Sequence, residues 1–187
     1  QVHLNVSSKT AAKASVKSYN VIGEITGSER PDEFVLLGAH LDSWDVGTGA
    51  MDDGMGVSMI MAAAHYIGQL KVAPKRTIRV ILFAGEEVGL LGAKQYVAEH
   101  KQEISQYVLG AEWDFGLGPI CQMRRGVGEK SLAALDELAQ LLAPLGVEFV
   151  RDNKAKAQSD MSLLSEVGMP SIRFAPDGLE YFDYHHT

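Results

Sequence analysis

The chain has 187 residues, 46% of them apolar and 22% charged, with a formal charge of −7 and one cysteine, Cys121. That is enough for one domain with a sizeable core, and the acidic balance excludes a nucleic-acid partner held by a basic surface. A single cysteine excludes an intrachain disulfide or a cysteine metal cluster, and no apolar run reaches the length of a membrane span.

The first residues, QVHLNVSSKT, lack a basic start followed by an apolar stretch and do not read as a signal peptide. Residues 15–26, SVKSYNVIGEIT, predict a strand, 27–32 a turn, and Phe34 to Ala39 a short buried strand. The short connection predicts that these two strands are antiparallel neighbours. Residues 53–70 predict a helix whose wide apolar face carries Val57, Ile60, Met61, Ala64 and Ile67. Asp52 and Asp53 lie at its start, where the helix dipole favours negative charge. Thr77 to Ala84 reads as a strand followed at once by Glu86-Glu87, then a helix from Leu90 to His100. Tyr107 to Trp113 predicts a strand with Asp114 just past it. Residues 129–143 give an amphipathic helix, with Leu132, Leu135, Leu138 and Leu142 on one face and Pro144 and Gly146 closing it. Val147 to Val150 and Ser171 to Phe174 are the remaining short strands. Strands alternating with helices predict an α/β three-layer sandwich, a mostly parallel mixed sheet flanked by helices.

Ligands of such sheets bind beyond the carboxyl ends of the strands. His40 and Asp42, Glu86 and Glu87, and Asp114 fall at three such ends. Residues 40–56, HLDSWDVGTGAMDDGMG, place four aspartates in one loop. Like charges repel, and carboxylates are costly to desolvate. Two zinc ions, which take histidine nitrogen and carboxylate oxygen, would remove that repulsion, and a carboxylate between them can bridge both. Each piece also has a simpler reading. Asp52 and Asp53 could cap the helix, Glu86 and Glu87 could be first-turn acids, and His185-His186 could be a tail. Arg124-Arg125 reads as a solvated basic pair, and Trp44 as a pocket wall or a loop residue covering the core.

The segments HLDSWD (40–45), GAMDDGMGV (49–57), PKRTIRVILFAGEEVGLLGA (74–93), EWD (112–114), SDM (159–161) and YHHT (184–187) together resemble the aminopeptidase Y family of two-zinc exopeptidases. HLDSWDVGTGAMDDG, PKRT and YFDYHH look closest to its carboxypeptidase Q branch, whose members cleave dipeptides. The resemblance implies that His40 and Asp114 hold one zinc, Glu87 and a late histidine the other, and that Asp52 bridges them. It implies that Glu86 is the general base toward a water shared by the two metals. The family's Ser or Thr after the liganding histidine selects His186, before Thr187. Asp42 is then expected to orient His40 through its far ring nitrogen. His185 is expected to assist charge stabilisation, and Asp160 to be a supporting carboxylate or, like Ser159, a helix cap. The tyrosine that some relatives carry shortly before the Ser-Asp pair is absent from residues 153–158, and the family's Asp-Thr pair beyond the last histidine is not reached. The resemblance implies a peptide substrate, allows a homodimer, and places the protein as secreted or periplasmic. It presents residues 1–187 as one catalytic domain lacking flanking parts at both ends. A single-zinc enzyme like the glutaminyl cyclases, or an inactive binding domain of the same fold, remain the alternatives.

Overall fold

A computed structural model describes residues 5, 7 and 15–187; the N-terminal stretch tested for a signal peptide lies mostly outside them. Seven strands form one mixed sheet: β1 (Val21–Ile25), β2 (Arg30–His40), β3 (Arg76–Phe83), β4 (Tyr107–Glu112), β5 (Ile120–Gly126), β6 (Glu148–Val150) and β7 (Ser171–Pro176). Their order across the sheet is β1-β3-β2-β4-β7-β5-β6. The pairs β2/β3, β2/β4, β4/β7 and β5/β6 are parallel, whereas β1/β3 and β5/β7 are antiparallel.

The helices are α1 (Gly54–Gly68), α2 (Leu91–His100), α3 (Leu132–Leu142), α4 (Ser159–Glu166) and the short α5 (Tyr181–Tyr184). Neighbouring residues on β2 point to opposite faces, and both faces are apolar, as a central parallel strand requires. Leu36, Ile81 and Phe83 pack with Ala93 and Tyr96 of α2 and Met161 and Leu164 of α4. On the other face Leu37, Ala39 and Leu82 pack with Val57 and Ile60 of α1. Ala111 pairs with Leu37 across β2 and β4 and so shares that face, where it packs in the group holding Leu132 and Leu135 of α3. The result is the expected three-layer α/β sandwich.

One expectation about neighbours is corrected. β1 and β2 are not adjacent, because β3 lies between them. β2 is buried through its second half and takes a parallel neighbour on each side, while β1 is largely exposed, as suits an edge. The turn between them crosses the start of β3. There Thr77 accepts a hydrogen bond from the Gly27 N–H (3.0 Å) and donates one to the Pro31 carbonyl (2.7 Å). β5 was not foreseen, because its sequence ICQMRRG ends in two arginines. Arg125 is not solvated: it is 6% exposed and donates to Asp136 (2.7 Å) and the Leu132 carbonyl (3.1 Å).

Candidate metal centre

β2, β3 and β4 run parallel, so their carboxyl ends share one edge of the sheet. His40 ends β2, Glu86 and Glu87 follow β3, and Asp114 lies two residues past β4. Asp52 precedes α1, whose start packs against the end of β4. Asp53 caps α1, accepting from the Gly56 N–H (3.0 Å) with one oxygen and from the His40 N–H (3.1 Å) with the other. The aspartate pair is thus split: Asp53 ties helix to strand, and Asp52 is left to face the cluster.

The His40 ring is fully buried. Its Nδ1 lies 2.9 Å from the backbone carbonyl of Asp42, which can only accept, so Nδ1 carries a proton and Nε2 is turned to the site. Nε2 lies 3.0 Å from Asp52 Oδ1 and 3.1 Å from Asp114 Oδ1. Burial disfavours a charged His40, yet its hydrogen bonds to Asp114 and Asp52 and nearby aspartate charge push its pKa up to about 12. The second Asp52 oxygen, Oδ2, faces the other way. It lies 3.2 Å from Nε2 of both His185 and His186. Of these two, His186 also reaches Glu87 Oε2, at 3.3 Å. Burial works against the Asp52 carboxylate, but its hydrogen bond to His40 and the charge of that ring, helped by His185 and His186, hold its pKa below the ordinary value.

The Asp42 carboxylate does something other than hold His40. Its nearer oxygen is 3.8 Å from Nδ1. It accepts instead from the backbone N–H groups of Gly85 (2.8 Å), Glu86 (3.0 Å) and Glu87 (3.2 Å). Gly85 has φ +73°, a conformation that suits glycine, and it turns the chain so that both glutamates reach the site. Glu86 accepts a hydrogen bond from the Ser159 hydroxyl. Burial raises the Glu86 pKa against that hydrogen bond, and the charges of Asp114 and Asp52 add to the rise. Ser159 is the first residue of α4, preceded by Gln158, so neither Ser159 nor Asp160 is the helix cap. Asp160 is fully buried and neither of its oxygens has a hydrogen-bond partner.

Among the described residues, three groups of side chains place donor atoms close enough to hold a cation: His40 with Asp52 and Asp114, Asp52 with His185 and His186, and His40 with Glu86 and Glu87. The donor set of imidazole nitrogens and carboxylate oxygens fits zinc. The buried, unpartnered Oε1 of Glu87 fits a cation better than a closed hydrogen-bond network. A larger groove of about 500 Å³ lies between β1 and α1, but Val21, Ile25, Met61, Ile78 and Val80 make its wall largely apolar. The chemistry is at the strand ends.

Residues 20–187 match peptidase family M28. The chain belongs to that family. Carboxypeptidase Q of Mus musculus is 38% identical over 186 residues, covering 100% of this chain and 39% of the relative. The crystal structure of a peptidase M28 precursor from Shewanella amazonensis SB2B is 49% identical, with a TM-score of 0.86, covering 91% of this chain and 38% of that one. BSAP, a zinc aminopeptidase from Bacillus subtilis, superimposes with a TM-score of 0.69 over 90% of this chain and 43% of that one; at 23% identity it shows the shared fold alone. The chain spans about two fifths of the length of carboxypeptidase Q and of the M28 precursor. Among the described residues, no helix is long and apolar enough to cross a membrane.

Sequence reading missed two contacts at this centre. The Ser159–Glu86 hydrogen bond had a signal in the SDM segment, but that serine reads equally well as a helix cap. The stacking of Trp44 on His186, with ring centroids 4.9 Å apart, joins residues far apart in the chain and had none.

Proposed function

We propose that this M28 chain is the catalytic part of a two-zinc exopeptidase that hydrolyses dipeptides or short peptides. The observation that carries the reading is the placement of Asp52. One of its oxygens faces His40 and the other faces His186, whose Nε2 also reaches Glu87. His40 and Asp114 would hold one ion with Asp52, and Glu87 and His186 the other. Two zinc ions bound there would acidify a water and polarise a peptide carbonyl.

The remaining work falls to the chain's own groups. In this assignment Glu86 is left beside the ligands and free of the ions, with its pKa raised, which suits a group that must take and return a proton. It accepts the proton of the attacking water and delivers it to the leaving amine. Ser159 holds the Glu86 carboxylate, and Asp42 fixes the turn from which Glu86 and Glu87 diverge. His185, near Asp52, is placed to offset negative charge as it develops on the substrate. The likeness to carboxypeptidase Q supports dipeptides as the first substrates to try.

The test is a screen of unblocked, N-blocked and C-blocked dipeptides with the zinc-loaded chain and its Glu86→Gln variant. The variant is expected to lose about 10²–10⁴-fold in turnover while both zinc ions stay bound. Hydrolysis that survives Glu86→Gln would contradict the mechanism, and pyroglutamate formation with one firmly held zinc would contradict the reaction class.

A further inference from the structure

The two histidines proposed to hold metal are themselves held in different ways. His40 is fixed through its Nδ1 by a backbone carbonyl. His186 sits at the end of a short helix, its side chain is 31% exposed, and its φ is +61°, an uncommon conformation for a residue with a side chain. Among the described residues, nothing holds its Nδ1 as Asp42 holds that of His40.

Its ring faces are held instead. Trp44 stacks on His186 with the two planes 14° apart, and His185 stacks on it with centroids 3.6 Å apart. Trp44 belongs to the loop that leaves His40 and arrives at Asp52. The backbone of that loop also closes on the end of the chain. The Thr48 N–H donates to the Thr187 carbonyl (3.2 Å). Gly47 allows the approach, since a Cβ there would lie 3.2 Å from that carbonyl oxygen and 3.4 Å from the His186 carbonyl carbon.

We infer that Trp44 is a positioning residue. It holds the His186 imidazole by its face and so fixes the orientation of that ring, as the Asp42 carbonyl fixes that of His40 through Nδ1. The loop that carries Asp52 thereby also sets the orientation of the second ion's histidine. The inference rests on the two-zinc reading, and the test separates the two.

Zinc is titrated into the metal-free chain, its Trp44→Ala variant and its Trp44→Phe variant, in competition with a chromophoric chelator. Melting temperatures of the metal-free proteins are recorded in parallel. Trp44→Ala should weaken one of two zinc-binding steps about tenfold and leave the other unchanged, the size expected when a group that orients a metal ligand is lost. Trp44→Phe keeps an aromatic face and should recover most of that loss. Unchanged zinc binding in Trp44→Ala overturns the inference. So does equal weakening of both steps with a lowered melting temperature, or a phenylalanine variant as weak as the alanine one. A wild-type chain with one step overturns the two-zinc reading itself, and the role of Trp44 with it.

Discussion

Two buried clusters of charge lie on this sheet, and they are balanced differently. Around Arg79 on β3, one guanidinium donates to Glu24 (2.6 Å), to Glu103 (2.9 Å) and to the hydroxyl of Tyr96 (2.9 Å). Its planar group also lies 4.0 Å above the ring of Phe34. The cation is 8% exposed, its carboxylates are partly wet, and the cluster carries its own counter-charge. At the strand ends, Asp52, Asp114, Glu86 and Glu87 gather around one buried histidine, His40, a half-buried one, His185, and an exposed one, His186. Among the described residues, Glu87 Oε1, Glu112 Oε1 and both oxygens of Asp160 have no hydrogen-bond partner. Buried charge that is paired within the chain ties elements together. Buried carboxylates in excess disfavour one another's ionisation, as at Glu86 and Asp160, and favour a cation among them.

The contrast can be broken most severely at Asp52. Asp52→Ala removes the carboxylate that turns one oxygen to His40 and the other to His185 and His186. Both zinc ions should be lost, measured as metal per chain after gel filtration, and peptide hydrolysis should fall to background. The metal-free fold should persist, because the helix cap is Asp53 and not Asp52. The paired cluster should respond in the opposite way. Arg79→Met should cost about 2–3 kcal/mol of stability in denaturant unfolding while zinc content stays unchanged. That is below the cost of breaking a fully buried pair, because Glu24 and Glu103 are 38% and 34% exposed.

A pH-dependent effect is expected at Asp160. Burial, reinforced by the charge of Glu86, raises its pKa from 3.8 to about 8. Between those pH values the folded chain keeps a proton that the unfolded chain has released. Stability from this group is therefore fully present below about 3.8 and is lost as pH rises through about 8. Asp160→Asn cannot ionise and should remove that slope. In chelator-treated protein the variant should match the wild type at about pH 4. At about pH 9 it should melt higher, by about 2–4 °C for each kcal/mol recovered. An equal shift at both pH values would mean that Asp160 is ionised in the fold.

Much of this arrangement was legible in the sequence because it depends on local order. His40, Glu86, Glu87 and Asp114 each follow an apolar run, and parallel strands bring such ends together. What was not legible depends on contacts between distant segments. The order of β1, β3 and β2 follows from which strand is buried on both faces, and the short turn between β1 and β2 cannot reveal that. β5 was missed because Arg124 and Arg125 look solvated until α3 supplies Asp136 for one of them. The resemblance ties Asp42 to the far ring nitrogen of His40, and Asp42 does meet it, but with its backbone carbonyl, while its carboxylate meets three N–H groups of another loop. The stacking of Trp44 on His186 joins two loops and leaves no periodic trace in either.

The central claim is that Asp52 lies between two cations. It is tested most directly by growing crystals of the chain with zinc and measuring anomalous scattering at the zinc edge. The account predicts two peaks flanking the Asp52 carboxylate, one contacting His40 and Asp114 and the other contacting Glu87 and His186. A single peak, or a second one held by His185 in place of His186 and Glu87, would contradict it.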